Sequence, residues 1–389
     1  GGDIMSKITA NLTKDVAIAN QSLMSQGMIS LSAGENESTL PLDLVMVVDV
    51  SGSMSGTGIQ VVIDSILCVQ NMMGPDDRLA VISFNNSATL HSSWVDKNGT
   101  ISALSAGGGT NFGAAINKLL DFLGQEGGDS GRAGIALFMS DGFGGKAADD
   151  HVSAIPEFGY TMHCLGVTSG ANPDLLEEMA ELARGRYFDA PDFSDVQTKF
   201  TQLFNYGKTT IYSAPVLELD VASGVKLSEV MEVNGTALAK DSELGPGKHS
   251  LALCNVTQGN VSQVSFKVSV DNVALGENKL VGIEFMGGRG SLDGKGTNVD
   301  TDVLNANTNN AVTVSRTTAK ATRALKDGDT AMATRLVTKL ETMGKTVPTA
   351  TSSATILSTV SNSTDKGQIH EAIGTITVNT KGETVTRDN

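Results

Sequence analysis

At 389 residues the chain is too long for one ordinary core, so two or three domains are expected. Its net charge of −15, from 28 basic against 43 acidic residues with no dense Lys/Arg stretch, excludes a nucleic-acid partner held through its phosphates. No run reaches ~18 consecutive apolar residues, so no helix is expected to span a membrane.

Residues 1–40 read as extended, with Ile8, Met28, Ile29 and Leu31 as apolar points. They are too few for a core of their own and are expected to add strands to a later β-sandwich. The opening Gly1-Gly2-Asp3-Ile4-Met5 has neither a basic flank nor an apolar stretch, so no secretory leader is read there.

Over 41–208 apolar strand-like runs alternate with helix-period segments, the mark of a parallel sheet covered by helices. Leu44 to Val50 is nearly all apolar, as a strand buried on both faces must be. Ile59, Val62, Ile63, Ile66 and Leu67 repeat at helical spacing before Gly74-Pro75. Leu79 to Phe84 is a second strand, with Ala88 to His91 as a short antiparallel partner. Phe112, Ala115, Ile116, Leu119 and Leu123 mark another helix. Strands are expected at Ile135 to Ser140, Tyr160 to Gly166 and Arg186 to Phe188, with helices near Ala147 to Ile155, Pro173 to Ala183 and Phe193 to Asn205.

From 209 to 300 the period becomes two: Leu217, Leu219 and Val221, then Val264, Phe266, Val268 and Val270, alternate with polar residues. Turns at Asn234-Gly235, Pro246-Gly247 and Gly287-Gly288 complete the pattern of an antiparallel β-sandwich. Over 301–346 helical spacing returns on both sides of Asp327-Gly328-Asp329, which reads as an αα-hairpin. The Ser/Thr-rich residues 347–389 have sparse apolar points, such as Ile356, Leu357 and Ile369, and read as a partly ordered tail or a segment that pairs elsewhere. The fold class expected is thus a doubly wound, Rossmann-like α/β domain inserted next to an antiparallel β-sandwich, with a C-terminal helical hairpin.

Cys68, Cys164 and Cys254 are far apart and set among apolar residues, which reads as three buried free thiols. Reduced thiols favour the cytoplasm. Asn-x-Ser/Thr triplets, as at Asn98 and Asn234, leave a surface or extracellular location open if a leader has been removed.

The chemistry gathers where strands end. Asp49-Val50-Ser51-Gly52-Ser53 follows the first strand, and read alone it is as much a helix cap as a site. Gly107-Gly108-Gly109-Thr110-Asn111 places Thr110 just before a helix, and Asp141-Gly142 follows a third strand. Three loops at one edge of a parallel sheet then carry five oxygen side chains with no His or Cys. That set suits Mg²⁺, with Mn²⁺ or Ca²⁺ as alternatives, rather than zinc. His91, His151 and His163 stand apart and read as ordinary surface or core histidines.

These residues resemble the von Willebrand factor A family: Asp49, Ser51 and Ser53 match its Asp-x-Ser-x-Ser motif, Thr110 its loop threonine and Asp141 its final aspartate. The resemblance implies a metal-ion-dependent adhesion site. Hydroxyls there bind the ion directly, aspartates often act through water, and a partner's Glu or Asp carboxylate fills the open position. Partner contact is expected on the loops around Met54, Gly109, Asn111 and Gly142. Pro41-Leu42-Asp43-Leu44-Val45 and Gly74-Pro75-Asp76-Asp77-Arg78-Leu79 are most similar to A domains of intracellular eukaryotic proteins that also carry RING or Hint segments. No zinc pattern or self-splicing module accompanies them here.

The function expected is non-enzymatic, metal-dependent binding of a protein ligand through its acidic side chain. The alternative is a structural subunit of a larger assembly, in which the metal seals a contact between copies. A metal-dependent hydrolase would need a general base that these loops do not carry.

Overall fold

The structure, a computed structural model, describes residues 6–126, 131–239 and 243–387, so the opening five residues lie outside it. The chain divides into two compact units: Ser38–Ala214 with Asp365–Gly374, and the remaining segments, Pro215–Thr364 among them.

In the first unit the strands Leu42–Asp49 and Ala133–Ser140 pair in parallel at the centre of a six-stranded sheet. Arg78–Phe84 and then antiparallel Ala88–Val95 lie on one side, Tyr160–Val167 and then Arg184–Ala190 on the other. Every residue of the strands Leu42–Asp49, Ala133–Ser140 and Tyr160–Val167 is buried. Two cores explain this. Leu44, Met46 and Val48 meet the helices Thr57–Met72 and Val196–Lys208, while Val45 and Val47 meet the layer of Phe112–Glu126 and Pro173–Leu182. The two central strands send their following segments to opposite sides of the sheet. The crevice beyond their C-terminal ends is therefore the topological switch point, where open α/β sheets present polar groups to ligands.

A helix far along the chain completes this unit. Lys366–Gly374 lies against Arg184–Ala190, the last strand of the sheet. The Asp189 N–H on that strand donates to the Glu371 carboxylate, and Glu371 is paired with Lys199 at 2.5 Å. Asp174 accepts from Lys366 at 2.6 Å and from His370 at 2.9 Å. An edge strand has unpaired backbone groups, and a covering helix is one of the ways proteins shield them.

The second unit holds two sheets. In one, Lys7–Leu12, Leu23–Ser32 and Asn260–Val270 run antiparallel side by side, and Val225–Glu232 also pairs with Asn260–Val270. In the other, Gly247–Ala252, Val216–Val221, Gly276–Phe285 and Gly288–Thr297 are neighbours, with Val16–Ile18 added in parallel. The stretch before the parallel sheet thus contributes strands to both. Helices Asn310–Lys326 and Thr330–Gly344 flank Gly328, whose φ of 75° is one that glycine adopts without a Cβ clash.

The Ser/Thr-rich end is structured: besides Lys366–Gly374 it contains the helix Pro348–Ser361 and the paired strands Ile376–Asn379 and Thr384–Thr386. In Pro348–Ser361 the buried residues Ala350, Ser353, Ala354, Leu357 and Val360 recur at helical spacing, but most are too small or polar to register as an apolar stripe. Thr355 and Thr359 donate their hydroxyls to carbonyls one turn back, which lets a polar sequence remain helical. None of the three cysteines is joined in a disulfide; Cys164 and Cys254 are buried as expected, whereas Cys68 is only half-buried.

Candidate metal centre

The crevice at the switch point gathers Asp49, Ser51, Ser53 and Asp141. Asp49 ends its strand fully buried, and its carboxylate accepts the Ser51 N–H at 2.8 Å. The Ser51 and Ser53 hydroxyls are 3.0 Å apart, and Ser53 donates to Asp141 at 2.8 Å. Asp141, 6% exposed, thereby joins the Asp-x-Ser-x-Ser loop from the end of the neighbouring strand.

Thr110 comes from the third loop. Gly52 N–H donates to Gly108 O at 2.9 Å and Gly107 N–H to Val50 O at 2.8 Å, tying this loop to the first. Asn85 and Asn86 brace it from another side: Asn85 Nδ2 donates to Gly107 O, and Asn86 Oδ1 accepts the Gly109 N–H. Gly108 needs its φ of 83° to make the turn. An added Cβ on Gly142 would lie 3.9 Å from the Thr110 hydroxyl, which sets Thr110 against the Asp141 loop.

Patterning in the sequence singled out these five residues and missed the polar groups that hold them. Ser140, fully buried, donates to Asp49 at 2.6 Å and accepts the Gly142 N–H at 3.2 Å. As the last residue of an apolar strand it carried no signal. Gly170 approaches so closely that a Cβ there would lie 2.5 Å from Asp141 O. Of the residues expected to meet a partner, Gly109 and Asn111 are exposed and Gly142 half-exposed. Met54 is fully buried, so its loop offers Ser53 and Ser55 outward instead. His163 is buried in the sheet, where its Nδ1 accepts the Arg186 N–H at 3.0 Å, and His91 bonds Ser102 O.

Charge separates the two ends of the sheet. At the opposite end of the same strand, buried Asp43 is held by Arg78 and Arg132, each at 2.6 Å, and buried Asp77 by Lys208 at 2.8 Å. Among the described residues no Lys, Arg or His forms an ion pair with Asp49 or Asp141. Burial pushes the Asp141 carboxyl above the usual carboxylate range, against the hydrogen bond from Ser53, and the nearby charge of Asp49 adds to it. Buried carboxylates without a cationic side chain are costly unless something else compensates them. Two carboxylates with three hydroxyls suit a hard divalent ion, so the donor set and its uncompensated charge both fit such an occupant.

Comparison with known proteins agrees with this architecture. The chain is 28% identical over 232 residues to an uncharacterized protein of Synechocystis sp., covering 53% of this chain and 51% of that one. It spans about half the length of this curated relative. A solved von Willebrand factor type A structure from Catenulispora acidiphila superposes with a TM-score of 0.67 at 14% identity, covering 100% of this chain and 94% of that chain. The ArnB paralog VWA2 from Sulfolobus acidocaldarius does so with a TM-score of 0.65 at 14% identity, covering 95% and 97%. At such identities the likeness is one of fold. The family model of the von Willebrand factor type A domain matches residues 43–202, and this part of the chain is such a domain.

Proposed function

We propose that the chain is a non-enzymatic interaction protein whose A domain binds an acidic side chain of a protein partner through a divalent ion, Mg²⁺ in the first instance. Asp49, Ser51, Ser53, Thr110 and Asp141 would hold the ion. The observation that carries this reading is the contrast along one strand: Asp43 is neutralised by two arginines, while Asp49, equally enclosed, meets only hydrogen-bond donors and the Asp141 loop. A divalent ion with two acidic ligands supplies residual positive charge in a sheltered crevice, which draws in a carboxylate. The same loops offer no His or Cys as a base, and Lys146, the next basic residue after Asp141, is engaged by Asp149 and Glu178. Binding therefore accounts for the residues better than hydrolysis.

Titration with Mn²⁺, followed by electron paramagnetic resonance and calorimetry, tests the reading. One ion per chain is expected, displaced by Mg²⁺ and lost in Asp49→Ala. Absence of uptake by the wild type would remove the metal from this account. Metal-driven oligomers in light scattering, in place of binding to an acidic ligand, would turn the reading to self-assembly.

A further inference from the structure

Phe143 lies two residues beyond Asp141 and is 71% exposed, while every other phenylalanine among the described residues is buried or half-buried. Its position is enforced by its neighbours. Gly142 N–H donates to Ser140, and a Cβ on Gly144 would lie 2.1 Å from the Phe112 ring, so the backbone on both sides is pressed against the domain. Phe112 itself is buried and packs edge-on against Phe84 and Phe138. Around the crevice the other outward residues are small or polar: Gly52, Ser53, Ser55, Gly109 and Asn111. A large aromatic ring therefore stands in solvent beside the Asp141 loop, the most exposed phenylalanine among the described residues. Aromatic side chains in such settings are the usual anchors of interfaces.

Resting on the metal reading above, we infer that Phe143 selects the ligand: an extended acidic segment in which an aliphatic or aromatic side chain lies two residues from the metal-bound carboxylate. In an extended chain, residues i and i+2 face the same way about 6.5–7 Å apart. Asp141 and Phe143 are themselves two residues apart, with Cα atoms no more than about 7 Å from each other. The chain thus tethers Phe143 close to the Asp141 loop, so a segment whose carboxylate reaches that loop brings its next same-facing side chain into the neighbourhood of the ring.

The test uses the full chain and three synthetic peptides, Glu-x-Leu, Glu-x-Ser and Gln-x-Leu, with Mn²⁺ or with EDTA. Mn²⁺ uptake by wild type, Phe143→Ala and Phe143→Leu is measured alongside. Equal uptake by all three proteins is expected, since Phe143 is no ligand. Glu-x-Leu should bind about tenfold more tightly than Glu-x-Ser to the wild type. That preference should vanish in Phe143→Ala and persist in Phe143→Leu, and Gln-x-Leu should bind none of the three proteins. Normal Mn²⁺ uptake with equal binding of Glu-x-Leu and Glu-x-Ser overturns the role of Phe143 and leaves the metal reading intact, whereas normal uptake with no peptide binding overturns both the role of Phe143 and the capture of an acidic side chain, leaving the ion alone. No Mn²⁺ uptake, with a Phe143-dependent preference retained in EDTA, overturns the metal reading and keeps the apolar contact. Loss of both overturns both.

Discussion

Ser140 donates its hydroxyl to Asp49 at 2.6 Å, across two neighbouring parallel strands and with both residues fully buried. With one oxygen of Asp49 engaged by Ser140 and the other by the Ser51 N–H, the carboxylate is fixed in orientation before any ligand arrives. Partners that orient metal ligands commonly contribute about 10–100-fold to affinity. Ser140→Ala is therefore expected to weaken Mn²⁺ binding by about that factor while all five candidate ligands remain, as read by competition with a metal indicator. Unchanged affinity would show that Ser140 serves packing alone.

Asp141 gives a prediction with a defined sign. Its folded pKa lies above the unfolded value because of burial, with the Asp49 charge adding. The stability linked to this group is then fully present below the unfolded pKa of about 4 and is lost as pH rises through the folded one. Without metal, Asp141→Asn should match the wild type below about pH 4 and exceed it at neutral pH by about 0.5–2 kcal/mol, the usual gain when a functional compromise is relieved. Urea unfolding across pH reads the difference, and Mg²⁺ should close or reverse it by stabilising the wild type alone. Metal affinity should in turn fall as pH drops through the range where Asp141 takes up its proton.

Two glycines separate damage to the site from damage to the fold. A Cβ at Gly170 would press on Asp141 O at 2.5 Å, whereas one at Gly185 would lie 1.9 Å from Met162 O within the sheet. Overpacking of this kind costs about 1–3 kcal/mol. Gly170→Ala should fold and bind Mn²⁺ more weakly. Gly185→Ala should lose stability without moving the affinity of the fraction that remains folded, as thermal melts and Mn²⁺ titration would show.

Arg316 is only 1% exposed; it donates to Glu229 O at 2.7 Å and pairs with the Glu229 carboxylate, while its Nε has no hydrogen-bond partner. Removing the anion leaves a buried cation, so Glu229→Ala should cost up to about 3–5 kcal/mol. Arg316→Met removes the buried cation and leaves Glu229, itself 43% exposed, with Lys267 at 3.1 Å, so it should cost less than Glu229→Ala. Denaturant midpoints of the two variants should diverge; equal losses would mean that packing of the Arg316 stem outweighs its charge.

The parallel sheet was legible because strands buried on both faces must be apolar throughout: Leu44 to Val48 admit no polar residue. The cluster was legible because oxygen-bearing side chains recur at strand ends, and Asp49, Ser51, Ser53 and Asp141 do come together there. What stayed hidden depends on distance in the sequence. Ser140 and Gly170 gain meaning only when the sheet brings them to Asp49 and Asp141. The loop around Met54 was expected to face a partner; Met54 itself, in the short turn Gly52–Met54, is buried in the core while Ser53 and Ser55 beside it are exposed. In the Ser/Thr-rich end, hydroxyls satisfied within the helix replace the apolar stripe that periodicity relies on.

The helix Lys366–Gly374 bears on how the A domain is handled as a piece of protein. A fragment cut at Lys208 contains all six strands of the sheet but leaves the Asp189 N–H, Asp174 and Lys199 without the partners that Glu371, Lys366 and His370 supply. Such a fragment would expose the outer strand to pairing with another copy. The boundary drawn by the domain's own strands is thus one helix short of a self-sufficient domain, and the missing piece lies more than a hundred residues downstream.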